Sequence, residues 1–145
     1  MKRWISVTAG LALCAASAWA DTAAFRSVAE TAGKIEQDAL AISKGLRAKQ
    51  RDLPQIKTNI DALGVDISAL RQNVDRIDAT LDSLTETQKK NWDLVKLKVQ
   101  LLMIFQERKE SLATLDLEKN RTTVRHLADG IATRAKMLQQ TAQKL

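Results

Sequence analysis

From Phe25 to Leu84, apolar residues recur at alternating steps of three and four without losing phase. One set of positions reads Phe25, Ala32, Ala39, Leu46, Leu53, Ile60, Ile67, Val74 and Leu81. The other reads Val28, Ile35, Ile42, Lys49, Ile56, Leu63, Leu70, Ile77 and Leu84, with Lys49 the one polar member. Residues three and four apart share one side of an α-helix, so the pattern draws a narrow apolar stripe, the seam by which one helix packs on another. Ile56, Ile60, Leu63, Ile67, Leu70, Val74, Ile77, Leu81 and Leu84 are therefore the candidate helix-packing seam. The flanking positions Ala24, Ala29, Thr31, Ser43, Gly45, Gly64 and Thr80 are small or uncharged. Such flanks suit helices packed on more than one side better than a two-stranded zipper. Asp52 with Lys57, and Asp66 with Arg71, stand where charges can meet across the seam.

Pro54 interrupts the run. Inside a helix a proline costs ~3 kcal/mol, but in a first turn it costs almost nothing, and Asp52 is a fit N-cap just before it. The pattern thus predicts helices over 22–51 and 53–84. Because the seam keeps its phase across Pro54, a single kinked helix of ~60 residues is the competing expectation. The next boundary falls at Leu84-Thr85-Glu86-Thr87-Gln88, where Thr85 and Gln88 form a capping box, with Asn91 and Asp93 as a second cap nearby. A third helix is expected to run to about residue 119, and Asn120, Thr122 and Thr123 mark a stop and restart. The last helix carries its own stripe, Val124, Ala128, Ile131, Ala135, Leu138, Ala142 and Leu145.

Within the third helix, the stretch "VKLKVQLLMIF" at 95–105 begins with strand-like alternation and ends in an apolar block. No turn residues bound it and no second strand exists to pair with it, so it reads as helix. It is too short to span a membrane and contains Lys96 and Lys98. On a helix Leu94, Leu97, Leu101 and Ile104 form one stripe, widened by Val95, Val99 and Leu102. A helix apolar on most sides belongs inside a bundle, so these seven residues are the candidate central buried helix. Lys98 falls within the arc and would have to extend its stem to water.

The first twenty residues fall outside this pattern. Lys2 and Arg3 precede an apolar run from Ile5 to Ala16 and then Ala18-Trp19-Ala20, a signal peptide with cleavage expected near Ala20-Asp21. Leu13 before Cys14 does not suit lipoprotein processing. If residues 1–20 are removed, 125 of the 145 residues form one domain, 21–145, without cysteine. The signal is of bacterial type, which makes the product periplasmic or secreted.

Cleavage leaves 21 basic against 17 acidic side chains, a net charge of +4. The signs interleave, which argues against nucleic acid as a partner and leaves weak contact with anionic membrane or cell wall. Lys44, Arg47, Lys49, Arg51 and Lys57 make the densest basic stretch and read as a solvated helix face.

Chemistry changes the picture little. His126 is the only histidine, and the Glu-x-x-His signature of di-iron bundles is absent. Asp75, Asp78 and Asp82 stack on one helical face, where a weak cation site competes with an ordinary solvated surface. No phosphate loop, activated nucleophile or paired carboxylate stands out. The expectation is a non-enzyme without catalytic, cofactor or metal residues.

The segment Leu84-Thr85-Glu86-Thr87-Gln88-Lys89-Lys90 is similar to the Leu-Thr-x-x-Gln motif of small periplasmic helical chaperones of the Spy type. That resemblance implies an exported all-helical protein binding unfolding clients on an amphipathic cradle. It covers one pentapeptide; the family carries the motif twice, this chain once.

Together the patterns predict an all-α protein whose long antiparallel helices form a three- or four-helix bundle or an extended coiled-coil hairpin. Its expected role is that of a structural or protein-interaction module of the cell envelope, self-associating or binding a protein partner. A helical chaperone and a peripheral binder of anionic membranes are the alternatives.

Overall fold

The computed structural model describes residues 9–81, 83–114 and 116–145, with side chains from residue 21 onward except those of 105, 106 and 109–114. The described residues form α1 (Ala9–Arg47), α2 (Leu53–Thr80), α3 (Glu86–Thr114) and α4 (Arg121–Ala142). Of the expected signal segment, residues 1–8 lie outside the described residues, and 9–20 are described as backbone continuous with α1.

Each boundary has a local cause. Asp52 accepts the Gln55 N–H at 3.0 Å, and Pro54 sits in the first turn of α2, where its missing donor is not needed. Pro54 therefore opens a new helix, and the expectation of one long kinked helix does not hold. Lys49, the polar seam position, falls in this turn and is exposed. The expected second helix is shorter than its stripe: α2 stops at Thr80, with Leu81 extended (φ −76°, ψ 110°). The Thr80 hydroxyl donates back to the Ile77 carbonyl at 3.0 Å, and α3 restarts at once on the Thr85 capping box. Leu81 and Leu84 accordingly lie off the helix, half-buried against the core. The third helix ends at Thr114, before the expected 119. Asp116 follows it, taking the Glu118 and Lys119 amides at 3.1 and 3.3 Å.

The helices alternate in direction. Phe25 midway along α1, Asp78 near the end of α2, Trp92 in the first turns of α3 and Leu145 beyond α4 meet at one end of the bundle. At the other end Ser43 and Arg47 of α1 meet Asp129 of α4, and Arg51 pairs with Glu118. Neighbours in sequence pack together, and α4 closes the ring on α1 in the most extensive contact. The result is an up-down-up-down four-helix bundle.

One core runs through it. Phe25, Val28, Ala32, Ile35, Ala39, Ile42 and Leu46 of α1 and Ile56, Ile60, Leu63, Ile67, Leu70, Val74 and Ile77 of α2 are buried. Val124, Ala128, Ile131, Ala135 and Leu138 of α4 join them. Each large aliphatic among these contributes ~1.5–3 kcal/mol on burial. The α1–α4 interface is rich in alanine, so the two axes can approach closely; a Cβ added to Gly33 would stand 2.6 Å from Gln139 Nε2 across it.

The charges expected to meet across the seam take other partners. Asp66 pairs with Lys34 of α1 at 2.9 Å, Arg71 with Asp75 at 3.8 Å, and Asp52 serves as the cap. These partners are long-range or one turn away, and a heptad diagram does not contain them.

Candidate interaction surface

Among the described residues, helix α3 occupies one corner of the bundle, packing along α2 and α4 and reaching α1 only where Trp92 meets Phe25. Its inward face is Trp92, Val95, Val99 and Leu102, each 3% exposed or less. Leu94, Leu97, Leu101 and Ile104 are 41–51% exposed. At 3.6 residues per turn the two stripes lie about 160° apart, on opposite sides of the helix. The expectation of a central, mostly buried helix is thus corrected. Val95, Val99 and Leu102 are core, whereas Leu94, Leu97, Leu101 and Ile104 face solvent. A corner helix can bury only the arc that faces its two neighbours, and Trp92 decides which arc that is. Lys98 is half-buried beside the outer stripe.

The chain carries one cue to the difference, in the charges at the stripe ends, but apolar spacing alone does not decide it. Stepping four residues outward from the exposed stripe reaches Lys90 and Arg108, whereas four residues before Trp92 stands uncharged Gln88. Isolated exposed apolar residues are ordinary, and Leu40, Val65 and Met137 are of that kind. Four large ones in line on one helix form a patch.

The inward edge is fastened electrostatically. The Trp92 indole N–H donates to Asp78 Oδ1 at 2.6 Å, and its ring lies 5.3 Å from that of Phe25 at 48°. Lys96 Nζ bridges Asp78 at 3.2 Å and Asp93 at 3.1 Å. The indole donor, with Lys96 behind it, holds the Asp78 carboxyl below its ordinary value, and the two carboxylates raise Lys96. A cavity of about 490 Å³ opens here beside Leu81, Leu84 and Lys89. The sequence gives no periodic signal for this network. Its one clue is that Trp92 is the only tryptophan beyond residue 20.

The other candidates resolve into structural roles. Of the aspartate stack, Asp75 pairs with Arg71, Asp78 is engaged by Trp92 and Lys96, and Asp82 lies outside the described residues. His126 is exposed, with Nε2 3.3 Å from Arg125. Within the Leu84–Gln88 motif, the Thr85 N–H donates to Gln88 Oε1 at 3.0 Å and the Gln88 N–H to Thr85 Oγ1 at 3.2 Å. Gln88 Nε2 also donates to the Leu145 carbonyl at 3.3 Å, which ties α3 to the end of the chain. Here the motif starts a helix.

Fold and surface together define an antiparallel four-helix-bundle protein with an apolar stripe on the outside of its third helix. No family model matches the chain, and neither a curated protein nor a solved structure matches it. Among the described residues, no helix is long and apolar enough to cross a membrane.

Proposed function

We propose that this is an exported, non-enzymatic helical protein of the bacterial cell envelope, a protein-interaction module whose docking element is the outer face of α3. The observation that carries this is the stripe Leu94, Leu97, Leu101 and Ile104, 41–51% exposed and in line on one rigid helix. Leaving such a patch in water forgoes stabilisation that burial would supply, and a partner's helix supplies it on docking. The Lys2-Arg3 start, the apolar run and Ala18-Trp19-Ala20 support export. A non-enzymatic role is supported by what occupies the polar groups between helices. Ser43 donates to Asp129 at 2.5 Å, Arg47 to Asp129 at 2.8 Å and Trp92 to Asp78, each joining one helix to the next.

The test is a photo-crosslinking residue placed at position 97 and, as control, at Lys57 on the exposed side of α2, in cells exporting the protein. Protein adducts at 97 and none at 57 are expected. Absence of protein adducts at 97 overturns the reading. A chaperone would replace it if the protein suppressed a model client's aggregation at near-stoichiometric ratio and Leu97→Asp/Leu101→Asp abolished this.

A further inference from the structure

We infer that the occupant of the α3 outer face is a second copy of this chain, the two α3 helices pairing parallel and in register. This rests on α3 being a protein-docking element. Leu94, Leu97, Leu101 and Ile104 have the three-four-three spacing of a coiled-coil seam, on the side of the helix away from its own core. Two bundles can therefore stand back to back without either core opening.

The residues beside the stripe choose the partner and its direction. Asp93 flanks Leu94 on one side, and Lys98 flanks Leu97 on the other. In a parallel, in-register pair, a residue on the first flank meets the one five positions further along on the facing flank. Asp93 then meets the partner's Lys98, and symmetry repeats the pair. The next such pairing, Gln100 with position 105, carries no charge. Reversing one helix places Lys98 against the partner's Lys98 and Asp93 against the partner's Glu107, like charges on both flanks. Both groups are placed to take part. The Asp93 side chain is 72% exposed while giving one oxygen to Lys96, and Lys98, next in sequence to Leu97, is half-buried.

Lys90 and Arg108 occupy the next seam positions at either end and limit the interface to four apolar layers. So short a seam falls below the size of permanent dimers, which makes association concentration-dependent, with Kd on the order of tens of micromolar.

The experiment is sedimentation equilibrium of the protein purified after export, from about 1 µM to about 1 mM, spanning that Kd. The expected result is one chain's mass at the dilute end and two chains' mass at the concentrated end. Leu97→Asp/Leu101→Asp should stay monomeric throughout with unchanged helicity, since both residues are off the core. Asp93→Lys and Lys98→Asp should each raise Kd about tenfold, and the double swap should restore it, because it inverts the pairs without breaking them. In the reversed arrangement Asp93→Lys would tighten association, and that result overturns the proposal. A wild type that stays monomeric at every concentration also overturns it. If position 97 still crosslinks to other proteins in that case, the docking role survives alone; without adducts, both fail. A monomer that cosediments with phosphatidylglycerol vesicles at low salt, and loses this in Leu97→Asp/Leu101→Asp, would make the occupant a lipid surface and overturn it too.

Discussion

Leu94 and Val95 are adjacent, both aliphatic, and about 100° apart around α3; Leu94 is 45% exposed and Val95 0%. Substituting each with aspartate measures which face is core. Val95→Asp forfeits ~1.5–3 kcal/mol of apolar burial. It also places a carboxylate against apolar side chains, at a further cost of several kcal/mol whether the group stays charged or takes up a proton. The sum, about 4 kcal/mol or more, is a large part of the ~5–15 kcal/mol that holds a domain of this size folded. Leu94→Asp removes a side chain already half in water and costs about 0.5 kcal/mol, mostly helix propensity. Urea denaturation followed by far-UV circular dichroism reads both, and fluorescence of Trp92, 2% exposed against Phe25, gives a second probe for Leu94→Asp. The expected outcome is near-wild-type stability for Leu94→Asp and a much lower urea midpoint for Val95→Asp. If the two variants lie within about 1 kcal/mol of each other, the assignment of α3's faces is wrong.

Acid stability and glycine replacement probe other parts of the bundle. The carboxyls of Asp78, held down first by the Trp92 indole, and Asp129, held down first by the Ser43 hydroxyl, both sit below their ordinary 3.8. Their stabilisation is present above 3.8 and is lost as pH falls through their folded values, so Asp78→Asn should lower stability at neutral pH by about 1 kcal/mol and flatten the acid limb of a pH titration of unfolding. Asp38 has the opposite sign: burial first, and Asp66 beside it, push its carboxyl up, so its contribution is present below 3.8 and lost as pH rises through the folded value. Asp38→Asn should accordingly raise stability at neutral pH, and a loss there would refute that assignment. Gly33→Ala should stabilise the protein by about 0.5–1 kcal/mol through helix propensity, because its Cβ meets only the end of the flexible Gln139 side chain. At Gly45 the new Cβ meets the buried Ile56 Cγ1 at 3.1 Å, and thermal unfolding should show Gly45→Ala gaining less or losing stability.

Much of the fold is local in origin and can be read along the chain. The 3-4 spacing of Phe25 to Ile77 places the α1 and α2 core residues on one face each, because helical periodicity is a property of consecutive residues. Asp52 with Pro54, and Thr85 with Gln88, start helices through bonds spanning three residues. For the same reason the Leu84–Gln88 motif is visible in the sequence, although its further bond to Leu145 is not. The ends of α2 and α3 are less legible: the stripe runs on through Leu81 and Leu84, while the backbone has already turned.

The face of α3 shows where local information stops. Two stripes, one through Leu97 and one through Val95, satisfy helical spacing equally well, and hydrophobicity alone favours the wrong one. The chain by itself determined that the protein is helical, where α2, α3 and α4 begin, and which side of α1, α2 and α4 is buried, since each of those helices has a single dominant apolar stripe. Tertiary structure alone decided that there are four helices in a closed ring and that Asp66 pairs with Lys34 and Ser43 with Asp129. It also decided which α3 stripe lies inside. A corner helix has two neighbours and one inward arc; docking Trp92 on Asp78 and Phe25 fills that arc and turns Leu94, Leu97, Leu101 and Ile104 outward.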